Sequence, residues 1–263
     1  MNTKSRSELP PGWGAYAHIN TGYRVNLAFK DATRSVVRRD HNEFWMIWTD
    51  LAPFCVFVAL FEIHLRQRIA FYSPSSLAAG VHLGAILSRL CSCAYHIYNC
   101  CSLRANQRLI HLDHIGIGCM ALGSPWLFAV ANRVHSLNDP YFIAYVSVIV
   151  IQFAFCTSLC AHLLLADADL HQRAAWCQPL LVVLAITGNA PVVQLDGASA
   201  TLAQSAVLLF LWGYVVFYLL NFPEAFFPRI AFDGRIGHSH VLWHLTTAGA
   251  QLCLVIMTFS VDA

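Results

Sequence analysis

Three histidines, His238, His240 and His244, fall within seven residues in the stretch GHSHVLWH that opens the last apolar run of the chain. His240 and His244 are four apart and share one face of a helix. Two imidazoles at that spacing can hold one metal ion, and a catalytic zinc site takes three protein ligands and leaves a fourth position for water. His96 supplies the third ligand in this reading. Asp113 is placed to accept a hydrogen bond from the water or to orient it. Zinc brings the pKa of such a water toward about 7, which makes a nucleophile at neutral pH. Ser92 stands one helical turn before His96, where it would polarise a substrate carbonyl or hold Asp113. His238, His111 and His114 stay open as alternative ligands.

A His-x3-His pair is a weak signal alone, and its weight depends on the elements that carry it. A spanning helix needs about 20 mostly apolar residues. The hydropathy pattern predicts seven such helices, at 45–64, 77–98, 109–131, 141–165, 176–193, 202–222 and 240–260. Breakers separate them: Ser73-Pro74-Ser75, Asn138-Asp139-Pro140, Asp196-Gly197 and Phe222-Pro223. Successive spans alternate direction, so the end of the second (His96) and the starts of the third (Asp113) and seventh (His240, His244) fall on one side. His41-Asn42-Glu43 precedes the first span on that same side. Ionisable groups at membrane depth are costly and mark function by default. By contrast, His64, His82, His135 and His162 read as interfacial or packing residues. Gly80-x3-Gly84 reads as a close helix-packing pair.

Composition supports the same class. The chain is 57% hydrophobic and 11% charged, against roughly 25% charged in a soluble domain. The expected fold is all-α: a polytopic membrane protein with a seven-transmembrane-helix bundle at 41–263, preceded by a basic cytosolic N-terminal segment at 1–40. A formal charge of +2 argues against a nucleic-acid partner. Lysine and arginine placement sets the orientation. Twelve basic residues lie on the N-terminal side, seven of them before the first span, against Arg66, Arg68 and Arg133 opposite; Arg89 sits within the second span. This places the N-terminus in the cytosol. Arg34, Arg38 and Arg39 would meet anionic lipid or a partner there. The ten cysteines lie mostly in apolar runs, where they act as small hydrophobes. Cys91, Cys93, Cys100 and Cys101 at one helix end are read as packing or acylation sites rather than a second zinc site.

The same residues carry a resemblance. Thr21-Gly22-Tyr23-Arg24, the run from His41 to Asp50, Ser92 to His96, and Leu112 to Ile117 match in order and spacing the motifs of the progestin and adipoQ receptor family. So do Pro223-Glu224 and the final His240 to His244 block. That family includes the adiponectin receptors and the hemolysin-III-like proteins, and the chain is most similar to its small Golgi subgroup that traps Raf kinase. The resemblance implies a seven-helix fold with zinc near the cytosolic face, held at His96, His240 and His244 with Asp113 nearby. It also implies a ceramidase-like hydrolysis of a lipid amide. Met46 stands where the family has Asn, Asp50 where it has His, and Val241 where it has Gln.

Two readings follow for a protein of the plasma membrane or the Golgi and other endomembranes. One is a zinc-dependent hydrolase acting on a membrane lipid such as ceramide, with a receptor or signalling role. The other is a receptor or scaffold with structural zinc that anchors a cytosolic signalling protein. Orientation has a direct test: tags fused to each end should leave only the C-terminal one protected or glycosylated. A glycosylated N-terminal tag would move the histidines to the opposite face.

Overall fold

The computed structural model describes residues 3–14, 16, 18–68, 74–165, 177–191, 195, 197–227, 233 and 236–260. Among these, the regular elements are helices, with one isolated β-bridge between Lys4 and Tyr23. A short α1 (Phe29–Ser35) precedes α2 (Phe44–Arg68), α3 (Ala79–Tyr98), α4 (Leu103–Cys119), α5 (Ser124–Ala131) and α6 (Pro140–Leu165). Then come α7 (Cys177–Asn189), α8 (Gly197–Gly213) and α9 (Ser239–Ser260).

Five stretches among the described residues are long and apolar enough to cross a membrane: Phe44–Arg66, Leu103–Ala131, Pro140–His162, Gly197–Leu219 and Ser239–Ser260. Helix α3 has the length, at 20 residues, but its inward polar side chains lower its hydropathy. Helix α7 has 13 described residues, about 20 Å at 1.5 Å per residue, short of the ~30 Å hydrocarbon core. The predicted ends of that span, Trp176 and Val193, lie outside the described residues. So do Arg173, Arg229 and Arg235 of the orientation argument.

Most predicted boundaries fall within a few residues of the observed ones; two differ for local reasons. Helix α4 starts at Leu103 rather than 109, because the Ser102 hydroxyl accepts the Ala105 N–H at 3.0 Å and caps the first turn. The following Arg-Ala-Asn-Gln-Arg run is polar and invisible to hydropathy. The third predicted span is also broken by a 3-10 turn at Met120–Gly123 before α5 resumes with Pro125 in its first turn, a position where proline loses no helix bond. Past α8 the chain continues as a π-helical turn over Tyr214–Leu219.

Helix α3 sits at the centre, touching α2, α4 and α9. Small residues allow this. A Cβ on Gly116 would stand 2.8 Å from the Cβ of Cys91, and one on Gly84 would stand 2.6 Å from the Cys119 carbonyl. The predicted Gly80–Gly84 packing pair therefore lies on the seam between α3 and the α4–α5 arm. Apolar cores fill the rest: Phe57, Trp126 and Met257 in one cluster, Phe210 and Trp243 in another. Outward positions such as Ile151, Phe155, Leu208 and Trp212 are exposed and apolar, as a hydrocarbon solvent favours. Cys55, Cys91, Cys93, Cys100, Cys101, Cys119, Cys156, Cys160 and Cys253 form no disulfide.

The segment before α2 is docked on the bundle rather than free of it. Ile19 and Tyr23 are buried against Met46 and Val241. The Leu27 N–H donates to the Cys100 carbonyl at 3.0 Å.

The α3–α4 seam predicts a contrast. Gly116→Val overpacks it and should cost about 1–3 kcal/mol or more, read as a lower melting temperature in detergent. Gly249→Ala meets only Leu209, at an ordinary 3.4 Å, and should hold or slightly raise stability. Equal melting of the two variants would count against the seam.

Candidate metal centre

The last helix is fixed at its start by a carboxylate. Glu224, buried in the loop after α8, accepts the Ser239 N–H at 3.0 Å and also takes the Ser239 hydroxyl. A carboxylate there satisfies an orphan donor and complements the positive end of the helix. His238 stands 3.0 Å from the same carboxylate, and its Nδ1 accepts the His240 backbone N–H at 3.2 Å. His238 is thus part of the cap. The helix then presents His240 and His244 one turn apart into the bundle.

There they meet His96 from α3. The candidate ligand atoms of His96, His240 and His244 all lie within 4.8 Å of one another. Ring centroids are 4.8 Å apart for His96–His244, 4.7 Å for His240–His244 and 5.4 Å for His96–His240. Nitrogens around a tetrahedral ion at 2.0–2.1 Å would stand about 3.4 Å apart. Side-chain adjustments of the order of an ångström would bring them there.

The outer nitrogens are held from α2. The Nδ1 of His96 is 2.8 Å from Oε2 of Glu43, whose other oxygen accepts the Asn99 amide at 2.9 Å. The Nδ1 of His244 faces the Met46 carbonyl at 3.3 Å, the Thr49 hydroxyl at 3.2 Å and an Asp50 oxygen at 3.1 Å. Carboxylate and carbonyl partners of this kind fix the tautomer and ring orientation of metal-binding histidines. The Nε2 of His96 is buried without a hydrogen-bond partner, as is the Nε2 of His240. An unpaired buried nitrogen is not distinctive alone, since His41 and His82 each bury one at Nδ1. What fits a metal ion is that candidate ligand atoms of three imidazoles gather within 4.8 Å, two of these rings having an unpaired Nε2.

Behind the histidines runs a buried ion pair. Arg89 of α3 donates from Nη1 to Asp50 at 2.6 Å, from Nε to Gln251 at 2.8 Å and from Nη2 to Thr247 at 2.8 Å. Asp50 is fully buried. The cation thus ties α2, α3 and α9 together directly behind His244.

Above the histidines lies the N-terminal segment. The Tyr16 hydroxyl is 3.4 Å from both Glu43 Oε2 and His96 Nδ1, and its ring centroid is 5.1 Å from that of His240. Burial first, and the Glu43 carboxylate second, raise the Tyr16 hydroxyl well above its usual pKa, so it stays a neutral donor. Arg24 donates to the His96 carbonyl at 2.5 Å and to Ser35 at 2.5 Å. His41 holds the Ser35 carbonyl at 2.9 Å. Burial, then the Arg24 charge, push its pKa down to about 4.

Of the residues read from sequence, His96, His240 and His244 come together. Asp113 is half-buried on α4 and lies outside the three-histidine group, while Ser92 is buried on α3. His111 and His114 are buried on α4 with ring centroids 6.0 Å apart, outside the three-histidine group. His64 and His82 stack at 4.6 Å at the opposite end of the bundle, His82 reaching Thr258 at 3.0 Å. Sequence reading gave no role to Glu43, Arg89, Tyr16 or Glu224. One signal was present: an Asp and an Arg inside apolar helices must find partners, and here they find each other.

The ion pair yields a prediction. Arg89→Leu leaves Asp50 buried and uncompensated and should cost about 3–5 kcal/mol. The double variant Arg89→Leu/Asp50→Asn should recover most of that loss. Thermal unfolding in detergent reads both, and a double variant as unstable as the single one would sink the pairing argument.

Comparison with known proteins fits this geometry. The model of the haemolysin-III-related family matches residues 38–255. An uncharacterized protein of Schizosaccharomyces pombe is 25% identical over 267 aligned positions, covering 90% of this chain. The chain spans about half of that relative, 55% of its length. The matched region runs from the residues just before α2 to near the end of α9 and so includes the three histidines with Glu43, Asp50 and Arg89: this integral membrane protein belongs to the haemolysin-III-related family, the family of the progestin and adipoQ receptors.

Proposed function

We propose that the chain is a seven-helix membrane protein that holds one zinc ion at His96, His240 and His244 and hydrolyses a lipid amide of the ceramide class. In this reading α3 and α7 also cross the membrane, residues 1–40 lie in the cytosol, and the membrane is the plasma membrane or the Golgi and other endomembranes. The observation that carries the proposal is the buried group of three histidines, two of whose Nε2 atoms have no hydrogen-bond partner. Three imidazoles without a thiolate suit zinc, and three protein ligands leave a position free for chemistry. Bound there, zinc would supply a Lewis acid and an activated water.

The rest is done by the chain. Glu43 and Asp50 hold the outer nitrogens of His96 and His244, so the inner nitrogens stay aimed at one point. Asp113, held by the Ser92 hydroxyl in this reading, would accept a proton and return it to the leaving amine. Arg89 holds Asp50 in place.

One observation favours a second reading. Tyr16 and its segment cover the histidines, as suits a structural ion in a receptor or scaffold that presents its N-terminal side to a cytosolic signalling protein.

Metal analysis of purified protein separates these readings. Wild type should carry about one zinc per chain. His96→Ala, His240→Ala and His244→Ala should each fall well below that, since two ligands are too few. His238→Ala should keep the metal, because His238 belongs to the cap. Asp113→Asn should keep metal and lose the release of fatty acid from ceramide. Wild type without metal would end the zinc reading; wild type with zinc but no release from any ceramide would favour the receptor or scaffold.

A further inference from the structure

A groove of about 760 Å³ runs between α2 and α9 on the outer face of the bundle. It shares Thr49 with the metal centre, whose hydroxyl reaches His244, and otherwise none of its lining residues takes part in the histidine site. Small residues make it: Ala52 on α2 faces Ala248 and Gly249 on α9. Its walls, Trp48, Val56, Leu245 and Leu252, are exposed and apolar, while Thr49, Phe57 and Ala248 form a buried floor. From Phe44 to Phe57 is thirteen residues, about 20 Å of helix at 1.5 Å per residue. One leaflet of the hydrocarbon core is about 15 Å deep. The groove is therefore long enough to take an acyl chain lying along α2 from the interface inward, and its volume is that of a built ligand site.

Its mouth is charged on one side only. Arg39 lines the rim, exposed, with its guanidinium 5.6 Å from the Phe44 ring centroid. The nearest carboxylate in sequence, Asp40, is taken by Arg38 at 3.0 Å. Among the described residues no carboxylate forms an ion pair with Arg39. Trp45 and Trp48 beside it are the aromatic residues that mark a membrane interface, and the Trp48 indole is fixed on the Val36 carbonyl at 2.9 Å. An apolar slot one leaflet deep, capped by a cation at the interface, matches an acyl chain joined to an anionic headgroup.

We infer that the α2–α9 groove is a specific site for one anionic phospholipid, an acyl chain lying on Thr49, Ala52 and Phe57 and the headgroup phosphate at Arg39. The long arginine stem runs along the apolar surface and sets its charge at headgroup level, as arginine does at interfaces. Anionic lipid of the cytosolic leaflet is the source. A zwitterionic lipid would fill the slot and offer the same phosphate, but its headgroup carries no net charge to hold at the guanidinium.

The test uses the full chain in nanodiscs of phosphatidylcholine doped with a phosphatidylserine that carries a diazirine at the end of one acyl chain, or with the matching phosphatidylcholine probe. After irradiation, cross-linked peptides are mapped by mass spectrometry. The phosphatidylserine probe should concentrate on residues 44–57 and 245–252, at least threefold over the phosphatidylcholine probe. Ala52→Trp, at an exposed lining position, fills the slot and should cut that labelling at least fivefold. Arg39→Gln should keep the labelling but abolish the preference for serine over choline. Val56→Trp repeats the blocking test one helical turn further along α2, and melting curves confirm that each variant is folded. Labelling spread equally over the exposed faces of α6 and α8, and unchanged in the blocked variants, would mean annular lipid only and overturn the proposal. Equal labelling by both probes in wild type would overturn the anionic choice. Neither result depends on whether zinc is bound.

Discussion

An imidazole has two nitrogens, and a buried one needs something at both. That constraint shapes the histidine end of this bundle. The helices place three imidazoles among apolar neighbours, where water is scarce and an unpaired polar atom costs about 1–3 kcal/mol. The outer nitrogens of His96 and His244 are answered by Glu43 and by the Met46–Thr49–Asp50 turn of α2. No side chain of the described residues answers the Nε2 of His96 or His240. His96 is thus held at Nδ1 and unpaired at Nε2, His244 is held at Nδ1, and His240 is unpaired at Nε2; carboxylate and carbonyl partners of this kind orient metal-binding imidazoles.

The supporting structure follows from that need. Asp50 can sit behind His244 only if its own charge is balanced, and Arg89 balances it through Nη1 while its Nε and Nη2 are held by Gln251 and Thr247. Arg89 lies on the central helix, and the close approach of α4 at Gly116 and of the α4–α5 arm at Gly84 brings that helix deep into the bundle. The Glu224 cap sets where α9 begins, hence which of its turns carries His240 and His244. Packing glycines, the ion pair and the cap therefore serve one placement, with elements from six parts of the chain converging on a volume a few ångströms across.

Much of this was legible in the sequence, and the limits are physical. Apolar runs gave α6, α9 and the start of α2 to within a residue, because hydrocarbon burial is a local property of the chain, while the end of α2 runs four residues further, to Arg68. The three histidines were legible because two share a helix face and alternation of spans puts the third at their depth. Helix α4 was mislocated at its start because Ser102 capping, not hydropathy, decides it. The partners of the site were not legible. His96 meets Glu43 across 53 residues and Tyr16 across 80, and Arg89 meets Asp50 across 39. No spacing rule records such pairs; only the packing of α3 against α2 does. Nor did a basic N-terminal segment announce that Ile19 and Tyr23 would be buried on the helices.

The three departures from the family motif that the sequence resembles reduce to two compensated changes. Asp50 in place of His brings a charge into the core, and Arg89 meets it, so positions 50 and 89 are one unit. Met46 in place of Asn and Val241 in place of Gln both exchange a polar for an apolar side chain. They fall in one cluster with Ile19 and Tyr23, so the exchange removes two polar groups from the surface on which the N-terminal segment lies. The contact from residue 46 to His244 runs through the backbone carbonyl, which the side-chain change leaves intact. The substitutions thus spare the histidines and alter what surrounds them. One adds a buried ion pair behind the site, and the other makes a drier seal in front of it, under the segment that carries Tyr16.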